Sequence, residues 1–147
     1  MKPYLEPRLV ACLLLPAPSA GHAWSLIQRF EPPYSLNRLH ALQIEGMLLD
    51  HLRAPNVKQH DLAAEGLRRW RYFWTEGVFR LDQPAWELAL GDALRLQVQV
   101  GRQIAGATAC LHVGLARVSG ATHFVSFERK SREAAHLLGL EVLPESL

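Results

Sequence analysis

Three glutamates that lie far apart in the sequence are the side chains best suited to chemistry: Glu6, Glu45 and Glu128. Carboxylate oxygens are the ligands that hard divalent cations such as Mg²⁺ and Mn²⁺ prefer, so three converging glutamates would form a metal site. Each glutamate also has a simpler interpretation. Glu6 could pair with Arg8, Glu45 could be a solvated helix residue, and Glu128 could favour the positive end of the following helix.

Two of these glutamates directly follow predicted strands. A strand is predicted at Pro3–Leu5, immediately before Glu6, and another at Thr122–Phe127, immediately before Glu128. In parallel sheets, sites form beyond the carboxyl ends of the strands. We therefore expect Glu6 and Glu128 at one edge of a sheet, with Glu45 supplied from a helix.

The remaining pattern alternates short strands with helices. A helix over Arg129–Leu138, capped by Gly139, joins Thr122–Phe127 to a strand at Glu141–Leu143, and so tight a unit requires a parallel crossover. Further strands are predicted at Pro33–Leu36 and Val78–Leu81. Helices are also predicted over Leu9–Leu15 (ended by Pro16 and Pro18), Ala20–Phe30, Leu39–Leu52 (after an Asn37 cap), Gln59–Thr75 and Ala107–Val118. One more helix is predicted to begin at Asp82-Gln83-Pro84, with Asp82 as its capping acid, and to run through Trp86, Leu90 and Leu94.

Bulk composition indicates one soluble domain over residues 1–147. Apolar residues make up 49% and charged residues 20%, and the net charge of +2 excludes nucleic-acid binding driven by bulk charge alone. Cys12 and Cys110 lie in apolar runs, which is typical of buried thiols in a reducing, cytoplasmic protein. The apolar run near the N-terminus imitates a signal peptide, but Glu6 and Arg8 interrupt its approach, and no stretch is long enough to span a membrane.

Four segments, in this order, resemble the motifs of PIN domains. They are Tyr4–Glu6 with Leu9–Pro16, Leu39–Glu45, Leu111–Ala116, and Phe124–Lys130 with Gly139, Leu140 and Pro144. The resemblance implies a three-layer α/β/α fold with a small, mainly parallel central sheet. The family consists mostly of Mg²⁺- or Mn²⁺-dependent ribonucleases, including VapC-type toxins of toxin–antitoxin pairs. The resemblance also implies a homodimer, RNA as substrate or ligand, and an antitoxin-like small protein as partner.

Carried onto this chain, the family's acidic, metal-holding positions fall on Glu6, Glu45 and Glu128, which would be the catalytic residues. The chain departs from the pattern in several places. Asp is usual where Glu6 and Glu128 stand, the third acid is replaced by Ala109, and Pro7 replaces a small hydroxyl residue. Longer and fewer carboxylates should bind metal weakly, because Mg²⁺ demands near-ideal octahedral geometry.

Two functions follow from the resemblance. One is a PIN-like domain with reduced or lost catalysis that binds RNA or protein; the other is an active, metal-dependent endoribonuclease toxin. Asp92 and Asp82 are candidate substitutes for the missing acid, and Arg8 could fill the pocket as a counter-charge.

One further segment mixes cations and aromatic rings. Arg68–Trp74 could bind RNA through phosphate contacts and base stacking. The simpler interpretation is a helix with a buried aromatic face and solvated arginines. His112 is interpreted as a helix residue near the sheet, not as a base.

Overall fold

Helices and three-residue strands alternate along the computed structural model, which describes residues 1–15 and 19–145, leaving aside the side chains of 100–104. The strands are β1 (Pro3–Leu5), β2 (Tyr34–Leu36), β3 (Phe79–Leu81), β4 (His123–Val125) and β5 (Glu141–Leu143). The helices are α1 (Pro7–Leu14), α2 (Ala20–Ile27), α3 (Arg38–Arg53), α4 (Val57–Thr75), α5 (Trp86–Ile104), α6 (Ala107–Val118) and α7 (Arg129–Leu137).

The chain divides into two compact units. The first, which we call the three-strand unit, comprises Met1–Glu6 and Asp82–Leu147, and the second, the two-strand unit, comprises Pro7–Leu81. The three-strand unit holds a sheet of order β1-β4-β5, and the two-strand unit holds β2 paired with β3. Every one of these strand pairs is parallel.

The predicted α/β class with small parallel sheet structure is therefore confirmed, including the crossover from β4 through α7 to β5. The expectation of one central sheet differs from the two separate sheets found among the described residues. In the second sheet β2 and β3 pair with each other, beginning with the Tyr34 amide, which donates to the carbonyl oxygen of Val78 at 2.8 Å. Nothing in the apolar pattern of a three-residue strand encodes which strand it will pair with.

The predicted helix signals have mixed outcomes. Asn37 caps α3 as predicted, accepting from the amides of Leu39 and His40, and Gly139 adopts a φ of 78° after α7. The predicted capping role of Asp82 is wrong, because α5 begins after Ala85, with no side-chain cap. Pro16 and Pro18, the predicted ends of the first helix, lie outside the described residues.

Each unit has its own core. In the three-strand unit, Phe124 on the central strand is fully buried, and helices α5 and α6 pack closely. Gly114 permits this approach, because a Cβ built on it would lie 2.4 Å from the carbonyl oxygen of Ala89. In the two-strand unit, Leu36 and Trp70 are buried with other apolar side chains of α1, α3 and α4. None of the helices described is both long and apolar enough to cross a membrane.

Candidate functional site

Glu6 and Glu128 lie at the carboxyl end of the three-stranded sheet, as the strand pattern predicts. The Glu6 amide donates to the carbonyl oxygen of Val125 at 3.0 Å, so the ladder between β1 and β4 extends to this residue. Glu6 is buried, with 7% of its surface exposed. Because β1 and β4 are adjacent and parallel, the two glutamates follow neighbouring strands at the same edge.

Local hydrogen bonds fix Glu128 at the start of α7. Its amide donates to the Ser126 hydroxyl at 2.9 Å, and the Ser131 hydroxyl donates to its Oε2 at 2.7 Å. Its carboxylate therefore lies in the first turn of the helix, where the helix dipole favours negative charge. This geometry agrees with the simpler interpretation of Glu128 as a residue that stabilises the helix terminus.

Glu45 lies on α3 in the two-strand unit and is exposed. The indole nitrogen of Trp70 donates to Glu45 Oε1 at 2.9 Å, which fixes one carboxylate oxygen against the aromatic side chains of α4. The exposure of Glu45 agrees with its simpler interpretation as a solvated helix residue. The cause is helical geometry: Ile44 points into the core, and the next residue is turned by about 100° around the helix.

The glutamates do not fit the metal site that the resemblance implies. In residues 1–15 and 19–145, no three His, Cys, Asp or Glu side chains gather closely enough to hold a metal ion. Ala109, at the position of the missing acid, offers no ligand oxygen. Metal binding by the three glutamates has no support in this geometry and stays a prediction.

Two arginines compensate the buried charge of Asp92, so no metal is needed to account for it. Asp92 is 4% exposed. Its carboxylate accepts hydrogen bonds from Arg117 Nε and from a guanidinium nitrogen of Arg95, each at 2.6 Å. The ion pair with Arg117 ties α5 to α6, whereas Arg95 lies on α5 with Asp92, so Asp92 acts as a structural acid in this geometry. Asp82, the other candidate substitute, is half-buried and lies in the segment that follows β3 in the chain.

His112 on α6 is buried against the sheet. The hydroxyl of Tyr4 lies 2.7 Å from His112 Nδ1, and the Tyr4 ring stacks on Phe124. Burial lowers the pKa of His112 from 6.5 to about 4, so the imidazole is neutral at neutral pH. This placement agrees with the interpretation of His112 as a helix residue near the sheet.

The segment Arg68–Trp74 follows its simpler interpretation. Trp70 is buried, and the guanidinium groups of Arg68 and Arg69 bind the carboxylate of Glu65 on the same helix. The aromatic side of the segment thus builds the core, while Arg68 and Arg71 are exposed. RNA contact by this segment stays a prediction.

Helix α5 runs through Trp86, Leu90 and Leu94, as the sequence pattern predicts. Its apolar residues are divided between a buried face and an exposed face. Ala89, Ala93 and Leu96 are buried. A second row of apolar residues, which we call the α5 stripe, recurs every four residues and is exposed: Trp86, Leu90, Leu94 and Val98. The signal that could have revealed this row is an apolar pattern too wide for one buried face of a surface helix.

Comparisons with known proteins support the fold. No family model matches this chain, and no curated protein matches it. Among solved structures, the chain is similar to the crystal structure of PAE2754 from Pyrobaculum aerophilum, with a TM-score of 0.62 and 15% sequence identity. The similarity covers 97% of this chain and 90% of that one. At this identity the likeness shows a shared fold and carries no function.

Proposed function

We propose that this chain is a PIN-like domain, related to VapC-type ribonucleases, whose metal-dependent catalysis is reduced or lost and which works by binding protein. The ordered motifs support the family assignment. Ala109 and Pro7 support the loss, as do the hydrogen bonds that engage the carboxylates of Glu45 and Glu128. These contacts compete with metal coordination, because each removes an oxygen lone pair from the ligand set.

The α5 stripe is the observation that carries the binding role. Trp86 is 38% exposed, Leu90 49%, Leu94 65% and Val98 86%. Single exposed apolar residues are ordinary, but four in one row form a contiguous patch of the kind that marks an interaction site.

The occupant that fits this stripe is a second copy of the chain. A two-fold axis near Asp92 sets two α5 helices antiparallel, with Leu90 facing Leu94 of the second copy. The large Trp86 of one copy then faces the smaller Val98 of the second copy, so the side-chain volumes at the two ends of the stripe are complementary. The same arrangement brings the Glu87 end of each helix toward the Arg95 end of the other, which pairs opposite charges at the rim.

Sedimentation velocity over a range of concentrations tests this dimer. We expect concentration-dependent dimers for the natural chain and monomers for Leu94→Glu, which places a charge in the centre of the stripe. The matched control is Leu88→Glu, because Leu88 is 63% exposed on the same helix but lies outside the stripe. A natural chain that stays monomeric, or a Leu88→Glu variant that dissociates equally, would contradict the proposal.

The alternative function is an active endoribonuclease toxin, and one arrangement favours it. Glu6 and Glu128 follow adjacent parallel strands at the edge where α/β proteins bind ligands. Incubation of pure protein with several RNAs and Mn²⁺ separates the two functions. We expect no cleavage above that of a Glu45→Gln control; cleavage that this substitution abolishes would establish the active enzyme.

The other predicted partners and the location belong to the same proposal. RNA and an antitoxin-like small protein are the ligands that the resemblance implies, and calorimetry with each would measure them. A cytoplasmic location is supported by the two cysteines, neither of which is in a disulfide bond.

A further inference from the structure

Arg132 is a buried cation with which no acidic side chain of the described residues is paired. It lies on α7 and is 7% exposed. Every ion pair found within residues 1–15 and 19–145 joins other side chains. Removing a charged side chain from water without a counter-charge is strongly unfavourable. The buried guanidinium of Arg132 therefore calls for an anion from elsewhere.

One edge of this guanidinium is engaged and the other is not. The Nη1 of Arg132 donates to the carbonyl oxygen of Pro144, the residue that follows β5. Its Nε is buried and has no hydrogen-bond partner in the part of the chain that the structure describes. In a guanidinium, the Nε–H and one N–H of Nη2 point the same way, and together they bind two oxygens of one carboxylate or phosphate. The edge that includes the unpartnered Nε is thus suited to an oxyanion.

The surroundings of Arg132 favour negative charge. Side chains of a helix lean toward its N-terminus, so Arg132 lies over the first turn of α7, where the helix dipole supplies partial positive charge. The bond to Pro144 places the guanidinium at the carboxyl end of β5, at the edge where α/β sheets bind ligands. Exposed Lys130 lies in the same first turn and adds a second cation. A helix N-terminus of this kind binds phosphate through its backbone amides.

Glu128 is one helical turn before Arg132, because the Arg132 amide donates to the Glu128 carbonyl oxygen at 3.1 Å. The carboxylate of Glu128 accepts a hydrogen bond from the Ser131 hydroxyl at 2.7 Å and does not form an ion pair with Arg132. Glu128 therefore leaves the charge of Arg132 uncompensated. It would also repel an anion bound beside it.

We propose that Arg132 binds a phosphate group through its Nε edge, at the start of α7. The phosphate compensates the buried guanidinium, and its remaining oxygens accept from the first amides of the helix. Because Nε is buried, binding has to displace the atoms that cover this edge, so the affinity for inorganic phosphate should be weak. This inference does not depend on the proposed function, because it uses neither the α5 stripe nor a metal ion.

Thermal denaturation in EDTA tests this site with inorganic phosphate as the probe. A ligand that binds only the folded chain raises the Tm, so phosphate should raise it in a saturable way. Chloride at the same ionic strength should not. AMP and adenosine then distinguish the sources of the phosphate. Tighter binding of AMP would assign the site to a nucleotide and equal binding to free phosphate, while adenosine, which has no phosphate, should have no effect.

Three variants complete the test. Arg132→Met should weaken phosphate binding about tenfold, because charge-assisted hydrogen bonds are lost. Its Tm without phosphate should not fall, since an uncompensated charge is replaced by an apolar chain of similar length. Arg129→Gln is the matched control and should keep the phosphate effect, because Arg129 lies in the same turn but is exposed and pairs with Glu133 at 2.9 Å.

Glu128→Gln leaves the buried arginine intact and should strengthen phosphate binding, because it removes the repulsion. Four results would overturn the proposal: an equal effect of chloride, unchanged binding by Arg132→Met, weaker binding by Glu128→Gln, or no rise in Tm up to the solubility limit of phosphate.

Discussion

The two units stabilise their interiors by different means. Seven of the nine buried polar residues of the described chain lie in the three-strand unit: Glu6, Asp92, His112, His123, Ser126, Ser131 and Arg132. The two-strand unit contains the other two, Asn37 and His40, which form the capping box of α3. We therefore expect the stability of the three-strand unit to depend on charge pairing and pH, and that of the two-strand unit to depend on apolar packing.

The contacts inside each unit show this contrast. In the three-strand unit, Asp92 is held by two arginines. The guanidinium of Arg132 donates to the carbonyl oxygen of Pro144, while its Nε has no hydrogen-bond partner among residues 1–15 and 19–145. In the two-strand unit, Trp70 packs edge-on against Trp74 and tilted against Phe79, with ring centroids 5.4 and 5.5 Å apart. Such aromatic contacts do not change protonation near neutral pH.

The largest expected effect is in the aromatic cluster of the two-strand unit. Trp70→Ala should lower the free energy of unfolding by about 4 kcal/mol, because it removes a buried indole and leaves a cavity. Trp70→Phe is the matched control and should cost only about 1–2 kcal/mol, since most of the packing is retained and the hydrogen bond to Glu45 is lost. Chemical denaturation measures both values, and equal losses would show that packing is not what Trp70 contributes.

Unpairing Asp92 is the corresponding test in the three-strand unit. Arg95→Met with Arg117→Met leaves a buried carboxylate without a partner and should lower the free energy of unfolding by about 3 kcal/mol. Adding Asp92→Leu should recover part of that loss, because the uncompensated charge is removed. A triple variant no more stable than the double variant would show that the arginines act through packing and not through charge.

A pH-dependent effect of similar size separates the units further. The pKa of His112 is lowered to about 4 by burial, while the unfolded chain protonates this residue near 6.5. Between these values the unfolded state binds more protons, so stability is full above pH 6.5 and falls as the pH drops toward 4. The loss is on the order of 3 kcal/mol at its largest. His112→Gln, which cannot titrate, should flatten this part of the stability profile, whereas Trp70→Phe should leave its slope unchanged.

Much of the local structure could be predicted from sequence, because its signals are local. Prolines and glycines mark the ends of β1, α6 and β5, and the predicted ranges of these elements agree with the structure. Burial is harder to predict. Leu42 shares the apolar spacing of α3 but is 71% exposed, while His40 is fully buried because it closes the capping box of α3.

The candidate site shows the same limit. Strand ends place Glu6 and Glu128 at one sheet edge, since that inference needs only the position of each strand and a parallel crossover. The bond between Glu45 and Trp70 joins residues 25 positions apart, and so does the pair of Asp92 with Arg117. Contacts at that separation depend on how helices pack, which the spacing of residues within one helix does not specify.

The smallest effects come from two helical glycines, one in each unit. A Cβ on Gly114 would meet the backbone oxygen of Ala89 at 2.4 Å, and backbone cannot move aside without separating α5 from α6. A Cβ on Gly66 would meet the methyl ends of Leu48 and Leu15 at 2.9 and 3.2 Å, and these can rotate away. Gly114→Ala should therefore cost about 2 kcal/mol. Gly66→Ala should stay within about 0.5 kcal/mol of the natural chain, because the better helix propensity of alanine offsets the adjustment. Thermal denaturation of both variants tests this, and an equal loss would mean that the two-strand unit is packed as rigidly as the α5–α6 crossing.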